Sequence, residues 1–87
     1  MEFEWHDAKN AENVRQHGFD FTWAIGVFDD PYVFEYDDDY SDEDRVNAIG
    51  MVDGRLIHVT YTMRDEVCRI ISARGAERHE QRRYHEG

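Results

Sequence analysis

The sequence RIISARGA at residues 69–76 runs directly into ERHEQRRY at residues 77–84. The first part is rich in β-branched residues and the second in good helix formers, which predicts a strand followed at once by a closing helix. Arginine carries a permanent planar charge that fits phosphate, and His79 and Tyr84 can hold or transfer protons. We therefore expect functional chemistry at this junction, with a solvated arginine-rich helix face as the alternative.

Length and composition predict one folded α+β domain over residues 1–87. The chain is 40% hydrophobic and 14% aromatic, which is too apolar for a disordered segment. It has no apolar run of membrane-spanning length and no charged-then-apolar leader, so we expect a cytoplasmic protein with no membrane contact. The single cysteine, Cys68, falls within a predicted strand and is expected to be a buried small hydrophobe and not a nucleophile.

The negative charge of the chain is concentrated in one segment. The formal net charge is -10, and nine of the 20 acidic residues lie between positions 29 and 44, where there is no basic residue. Phosphate binding depends on a local basic patch, so the net charge does not exclude a nucleic-acid partner. The sequence DDDYSDED at residues 37–44 is expected to be a solvated loop, because it lacks the glycine and the final glutamate of calcium-binding loops.

The N-terminal third predicts one strand and two helices. Apolar and charged residues alternate at positions 2–5, which is typical of a short strand. Asp7 is the predicted N-cap of a first helix that ends at His17. Asp20 caps a second helix, whose apolar residues recur with helical spacing and are expected to pack in the core. These core residues are Phe21, Ala24, Ile25 and Phe28.

The remainder predicts four strands and the closing helix. A strand begins near Tyr32, and three more strands follow at residues 45–52, 55–63 and 66–73. Asp53-Gly54 is a strong hairpin signal between the second and third of these strands, whereas Arg64-Asp65 predicts a turn less clearly. The predicted order is strand, helix, helix, four strands and helix.

Short motifs along the whole chain carry a family resemblance. In order they are FEW at 3–5, Lys9, QHG at 16–18, FDDP at 28–31, DR at 44–45, IG at 49–50, DGR at 53–55, YT at 61–62 and RIISAR at 69–74. Together they resemble the BrnT toxins of type II toxin–antitoxin systems. The resemblance implies an endoribonuclease that needs no metal or cofactor, cleaves RNA and inhibits translation. It also implies neutralisation by a ribbon-helix-helix antitoxin of the BrnA type, which links the toxin to operator DNA.

The resemblance also implies a fold. BrnT toxins have a RelE/ParE-like α+β fold, in which two N-terminal helices pack on a small antiparallel sheet and a helix closes the chain. Glu77 stands where the family commonly has the threonine of a capping box. Loss of a side-chain N-cap costs about 1 kcal/mol, so the closing helix is expected to be weakly held in its own domain.

Metal-independent RNA cleavage needs a group that takes the proton of the 2′-hydroxyl, cations that stabilise the phosphorane and an acid for the leaving oxygen. We expect three arginines to stabilise the charge, with Lys9 or His17 as proton acceptor and Glu80 or Tyr84 completing the site. The three arginines are Arg64, Arg69 and Arg74. The candidate RNA-binding residues on the closing helix are Arg78, Arg82 and Arg83.

Strand geometry limits this site. Arg69 and Arg74 are an odd number of residues apart, so they face opposite sides of the sheet unless the strand ends or bulges near Ala73. Two other functions remain open on the sequence: a binding module without ribonuclease activity, and a toxin of related fold that acts on a protein target such as a topoisomerase.

Overall fold

The computed structural model describes residues 1–39 and 44–87. Its strands are β1 (Glu2–Trp5), β2 (Phe34–Asp37), β3 (Arg45–Val52), β4 (Arg55–Arg64) and β5 (Val67–Gly75). Its helices are α1 (Asp7–His17), α2 (Phe21–Ala24) and α3 (Arg78–Glu86), and a 3₁₀ helix at Ile25–Asp29 follows α2. Among the described residues, no helix is long and apolar enough to cross a membrane.

The five strands form one mixed sheet in the order β1-β5-β4-β3-β2. Neighbours among β2 to β5 are antiparallel, but β1 pairs with β5 in parallel. The expectation of an antiparallel sheet is therefore wrong for β1. A parallel pair needs a long connection between its strands, and here that connection contains both N-terminal helices and three strands, a relation that local sequence patterns do not encode.

The first helix begins differently from the prediction and ends as predicted. The Nδ1 atom of His6 accepts a hydrogen bond from Ala8 N at 3.2 Å, so His6 and not Asp7 is the N-cap. Asp7 is the first helical residue, where its negative charge suits the helix dipole. At the other end, Gly18 has φ +82° and its N–H donates to Val14 O, which confirms the predicted C-terminal cap.

The second helix is shorter than predicted. The Asp20 side chain accepts a hydrogen bond from Trp23 N at 2.8 Å, which confirms the N-cap. The α-helical geometry then ends at Ala24 and continues as the 3₁₀ helix, so the single predicted helix is wrong. Gly26 and the approaching proline both disfavour a longer α-helix, and 3₁₀ turns are common at helix ends. The predicted apolar stripe does pack against the core.

Both hairpins use two-residue turns with positive φ values. Asp53 (φ +48°) and Gly54 (φ +81°) connect β3 to β4, which confirms the predicted turn. The turn from β4 to β5 is Asp65 (φ +47°) and Glu66 (φ +71°), one residue later than predicted.

One face of the sheet is apolar and packs against α1, α2 and the 3₁₀ helix. The buried residues of this core are Phe19, Phe21, Ala24, Val27, Ala48, Val52, Ile57, Val59, Tyr61, Cys68, Ile70 and Ala73. Cys68 is 0% exposed, which confirms its predicted burial, and burial raises the pKa of its thiol to about 11. The opposite face carries mostly polar side chains, although the fully buried Ile49 also lies on it, and α3 crosses this face where it contacts β3.

A β-bulge in β5 changes which side chains share the polar face. Tyr61 pairs with Ile70, whereas its neighbour Thr60 pairs with Ser72, so Ile71 is an extra residue in β5. Such a bulge shifts the alternation of the strand by one residue.

The bulge brings two predicted site residues to the same face. Arg69 pairs with Thr62 on one side of the bulge, and Arg74 pairs with His58 on the other. Thr62 and His58 are four residues apart in β4, so their side chains point the same way. Arg69 and Arg74 therefore share the polar face, which decides the alternative that their odd spacing had left open.

Candidate functional site

A groove of 570 Å³ opens on the polar face beside the start of α1. We call it the basic groove, and it is lined by Lys9, Asp44, Arg45, Thr62, Met63, Arg64, Arg69 and Ile71. Four of these residues are basic and one is acidic. They come from α1 and from three strands, so the fold concentrates positive charge that is dispersed in the sequence. Such a cluster attracts anions in spite of the negative net charge of the chain.

The basic groove contains three of the predicted site residues, Lys9, Arg64 and Arg69. The Arg69 side chain is 31% exposed, and its Nη1 atom lies 3.7 Å from Glu4 Oε1. An ion pair this long and this exposed to solvent is weak, so a phosphate can compete for the guanidinium.

A second cavity of 460 Å³ lies further along the same face. We call it the histidine cavity, and it is lined by Tyr36, Asp37, Asp38, Asp39, Asn47, His58, Thr60, Ser72, Arg74 and Glu80. Thr62 in the groove and His58 in the cavity are about 13 Å apart along β4, from the rise of a strand. The two sites are neighbours on one surface.

Glu80 lines the histidine cavity and is only 3% exposed. Its two carboxylate oxygens accept hydrogen bonds from Arg74 Nη1 and Nη2 at 2.8 and 2.9 Å. Oε1 also accepts one from Glu77 N at 2.8 Å, which closes the first turn of α3. Burial raises the pKa of Glu80, but these hydrogen bonds outweigh it and hold the pKa below its ordinary value.

The expectation that the closing helix is weakly held is therefore wrong. That expectation rested only on the missing threonine, whereas α3 is attached to the sheet by an ion pair between the buried Glu80 carboxylate and Arg74 of β5. A second attachment is the Arg83 guanidinium, which lies 4.7 Å from the ring centroid of Phe34 and 5.4 Å from that of Tyr36. Polar and cation–π contacts replace the apolar stripe that the helix lacks.

His58 was not among the predicted site residues, and it lies beside this ion pair. It is 6% exposed, and its Nε2 atom lies 3.5 Å from both Glu80 Oε2 and Tyr36 OH. Burial lowers the pKa of His58, and the positive charge of Arg74 lowers it further, against the opposing effect of Glu80. The imidazole is therefore neutral at pH 7 and able to accept a proton.

Tyr84 lines neither the basic groove nor the histidine cavity. Its hydroxyl donates a hydrogen bond of 2.6 Å to Asp30 Oδ2, an atom that also accepts one from Met51 N at 2.7 Å. The bond to Asp30 is the main reason that the pKa of Tyr84 is raised to about 12. Tyr84 thus attaches α3 to the segment before β2.

His17 also lies apart from the groove. It ends α1, eight residues or about 12 Å from Lys9 along the helix axis, and its ring contacts Phe19. Two further predicted RNA-binding residues, Arg78 and Arg82, are exposed on α3. The structure therefore separates the predicted residues into the basic groove, the histidine cavity and positions outside both.

Two residues of the face were missed although the sequence contained a signal for them. The Asp53-Gly54 hairpin sets the register of β3 and β4, which places Arg45 opposite Thr62. The same alternation places His58 on the face of Thr62. Extending the hairpin pairing from its turn would have identified both residues before the structure was known.

The acidic segment borders the histidine cavity. Residues 37–39 line the cavity, and Asp38 N continues the β2–β3 pairing by donating to Arg45 O at 2.9 Å. The prediction of a solvated loop also covers residues 40–43, which lie outside the described residues. Within residues 1–39 and 44–87, no three His, Cys, Asp or Glu side chains form a group that could hold a metal ion.

A comparison with protein families gives a match over most of the chain. The model described as "Ribonuclease toxin, BrnT, of type II toxin-antitoxin system" matches residues 5–80. No curated protein matches the chain. The matched region includes every residue that lines the basic groove and the histidine cavity.

Proposed function

We propose that this chain is a metal-independent endoribonuclease whose RNA cleavage inhibits translation. The chain belongs to the BrnT family of ribonuclease toxins of type II toxin–antitoxin systems. Membership of this family implies an RNA substrate and an antitoxin partner.

The observation that supports the proposal is the convergence of basic residues on the open polar face. Lys9, Arg45, Arg64 and Arg69 come together in the basic groove, and Arg74 lies further along the same face. Contacts to phosphate supply most of the affinity of a protein for nucleic acid. These cations come from α1, β3, β4 and β5 but share one face, so they can bind several phosphates of one RNA strand.

Arg74 is the candidate for stabilising charge in the transition state. Its bidentate contact with Glu80 fixes the guanidinium plane, while 33% of its side chain remains exposed. A cation that is already oriented needs little rearrangement when charge develops on a phosphorane. An RNA strand whose phosphates are bound in the basic groove would pass Arg74 as it continues along the same face.

The acidic residues confine the path of the RNA. Asp37, Asp38 and Asp39 line the β2 side of the histidine cavity and repel phosphate, whereas the β4–β5 side carries the arginines. An RNA strand is therefore directed along β4 and β5.

We also propose that the single domain has the RelE-like arrangement of its family and acts in the cytoplasm. A mixed five-strand sheet with α1 and α2 on one face and α3 on the other is compatible with that fold. We propose a BrnA-like ribbon-helix-helix antitoxin as partner, through which the toxin associates indirectly with operator DNA.

The test is RNA cleavage by the chain purified free of antitoxin, in buffer that contains a chelator. We expect the wild type to cleave single-stranded RNA, and Arg69→Ala and Arg74→Ala each to be at least tenfold slower. A factor of ten corresponds to about 1.4 kcal/mol of transition-state stabilisation. Arg15→Ala is the matched control, because Arg15 is exposed on α1 and lines neither cavity.

The outcomes separate the competing functions. Absence of cleavage by the wild type would overturn the proposal. Growth arrest without RNA cleavage would then favour a protein target, and antitoxin binding without growth arrest would favour a binding module. Equal cleavage by all the arginine variants would show that RNA is cleaved on another surface.

A further inference from the structure

RNA cleavage by the 2′-hydroxyl needs a group that accepts the proton of that hydroxyl. Most of the candidates predicted for this role make other contacts in the structure or lie away from Arg74. Glu80 accepts hydrogen bonds from Arg74, and the Tyr84 hydroxyl donates a hydrogen bond to Asp30. His17 lies at the far end of α1 from Lys9, and Lys9 stands among three arginines of the basic groove.

We propose that His58 is the proton acceptor of the reaction and that Glu80 is its positioning residue. This inference rests on the proposed function and names a residue that was not among the predicted site residues. In the histidine cavity, the imidazole of His58 is next to Arg74 across the β4–β5 pair. The group that takes the proton would then be adjacent to the group that stabilises the phosphorane.

The Nε2 atom of His58 is poorly satisfied by its present contacts. Its distances to Tyr36 OH and Glu80 Oε2 are both 3.5 Å, at the outer limit for a hydrogen bond. Catalytic hydrogen bonds are often long before substrate binds and shorten in the reacting complex. In the tautomer with its hydrogen on Nδ1, Nε2 has a free lone pair and can exchange the long contact to Tyr36 OH for a short one to a 2′-hydroxyl.

The charges around the imidazole suit a base that is neutral before the reaction and positively charged after it has accepted a proton. Arg74 of β5 and burial favour the neutral ring, while Glu80 and Glu77 of α3 favour the charged ring. Tyr36 of β2 contributes an uncharged hydroxyl, and the carboxylates of residues 37–39 line the cavity. When the ring gains a proton, Glu80 Oε2 is in place to stabilise the imidazolium.

In the proposed step one proton is transferred and one phosphorus–oxygen bond replaces another. The 2′-oxygen transfers its proton to His58 Nε2 and forms a bond to phosphorus, while Arg74 stabilises the negative charge on the phosphoryl oxygens. The bond between phosphorus and the 5′-oxygen breaks, and that oxygen leaves with the electron pair and takes a proton from water. The imidazolium returns its proton to solvent. The products are a 2′,3′-cyclic phosphate and a 5′-hydroxyl.

The test is the pH dependence of RNA cleavage by the wild type and by His58→Gln, with His85→Gln as the matched control on the exposed surface of α3. We expect the wild-type rate to rise with pH to a plateau, with a midpoint below about 6.5, because the base must be neutral. His58→Gln should cleave at least a hundredfold more slowly at pH 7 and lose this rise. Binding of a 2′-deoxy analogue, which cannot be cleaved, should change by less than twofold.

Glu80→Gln tests the positioning role. Removing the carboxylate charge should move the kinetic midpoint to lower pH, because the imidazolium loses a stabilising partner. A variant that only loosened α3 would lower the rate and leave the midpoint unchanged.

A measurement on the wild type tests the role of His58 even if His58→Gln does not fold. The NMR titration of the His58 imidazole should have the same midpoint as the rate, and different midpoints would overturn the assignment. If the wild type cleaves RNA and His58→Gln cleaves within twofold with an unchanged profile, only the role of His58 fails. If the wild type does not cleave RNA in chelator, the proposed function fails and this inference with it.

Discussion

Replacing Glu80 by alanine should destabilise the protein by about 3 kcal/mol, although the residue is charged and lies on a surface helix. The carboxylate is almost fully buried and accepts two hydrogen bonds from Arg74 and one from Glu77 N. Its removal leaves the guanidinium without its partner and the first turn of α3 without its cap.

The magnitude follows from two contributions. Breaking a buried ion pair costs about 3–5 kcal/mol, but Arg74 is 33% exposed and water can replace part of the contact, so we use about 2 kcal/mol. Loss of the helix cap adds about 1 kcal/mol. For a domain of this size, 3 kcal/mol corresponds to a fall in Tm of about 12–24 °C.

The stabilisation should also depend on pH. The folded-state pKa of Glu80 is lowered below the ordinary value of 4.5. Its contribution is therefore complete above the unfolded-state pKa and is lost as the pH falls through the folded-state pKa. The difference in free energy of unfolding between the wild type and Glu80→Gln should be constant near pH 7 and shrink below about pH 4.5.

Urea denaturation followed by circular dichroism, at several pH values, measures this effect. Glu86→Ala is the control, because Glu86 is exposed on the same helix and should change stability by less than about 0.5 kcal/mol. A loss below about 1 kcal/mol for Glu80→Ala, or a loss that does not vary with pH, would refute the reasoning.

Three further predictions concern the fold. Gly50→Ala should cost about 1–3 kcal/mol in urea denaturation, because its Cβ would lie 2.9 Å from Val27 O, whereas Gly75→Ala has open space and should be nearly neutral. Glu66→Gly should raise Tm by relieving a positive φ worth about 1 kcal/mol, and an unchanged or lower Tm would contradict this. Cys68 should react with a thiol reagent slowly in the native protein and rapidly in denaturant, since its thiol is buried with a pKa of about 11; rapid native labelling would show that it is accessible.

Local chemistry made several parts of the fold predictable. The Asp20 side chain can accept a hydrogen bond at a helix start, and Gly18 can adopt the positive φ of a helix end. The structure places both residues in these roles. Asp53-Gly54 satisfies the positive φ values of a two-residue hairpin on its own. In each case the deciding interaction joins residues that are close in sequence.

The parts that were missed depend on distant residues. The parallel pairing of β1 with β5 joins the two ends of the chain. The extra residue Ile71 in β5 follows from how that strand fits β4, and it alone puts Arg69 and Arg74 on one face. The contact of His58 with Glu80 requires α3 to dock on the sheet, and no periodicity in α3 indicates where it docks.

The most direct test of the central claim is an NMR titration of the protein with a 2′-deoxy RNA analogue that cannot be cleaved. If RNA is bound and cleaved on the polar face of β4 and β5, the largest shifts should map to Thr60, Arg69 and Arg74, and Arg69→Ala should weaken binding. Shifts confined to the opposite side of the molecule, around Val14 and Trp23, would contradict the account.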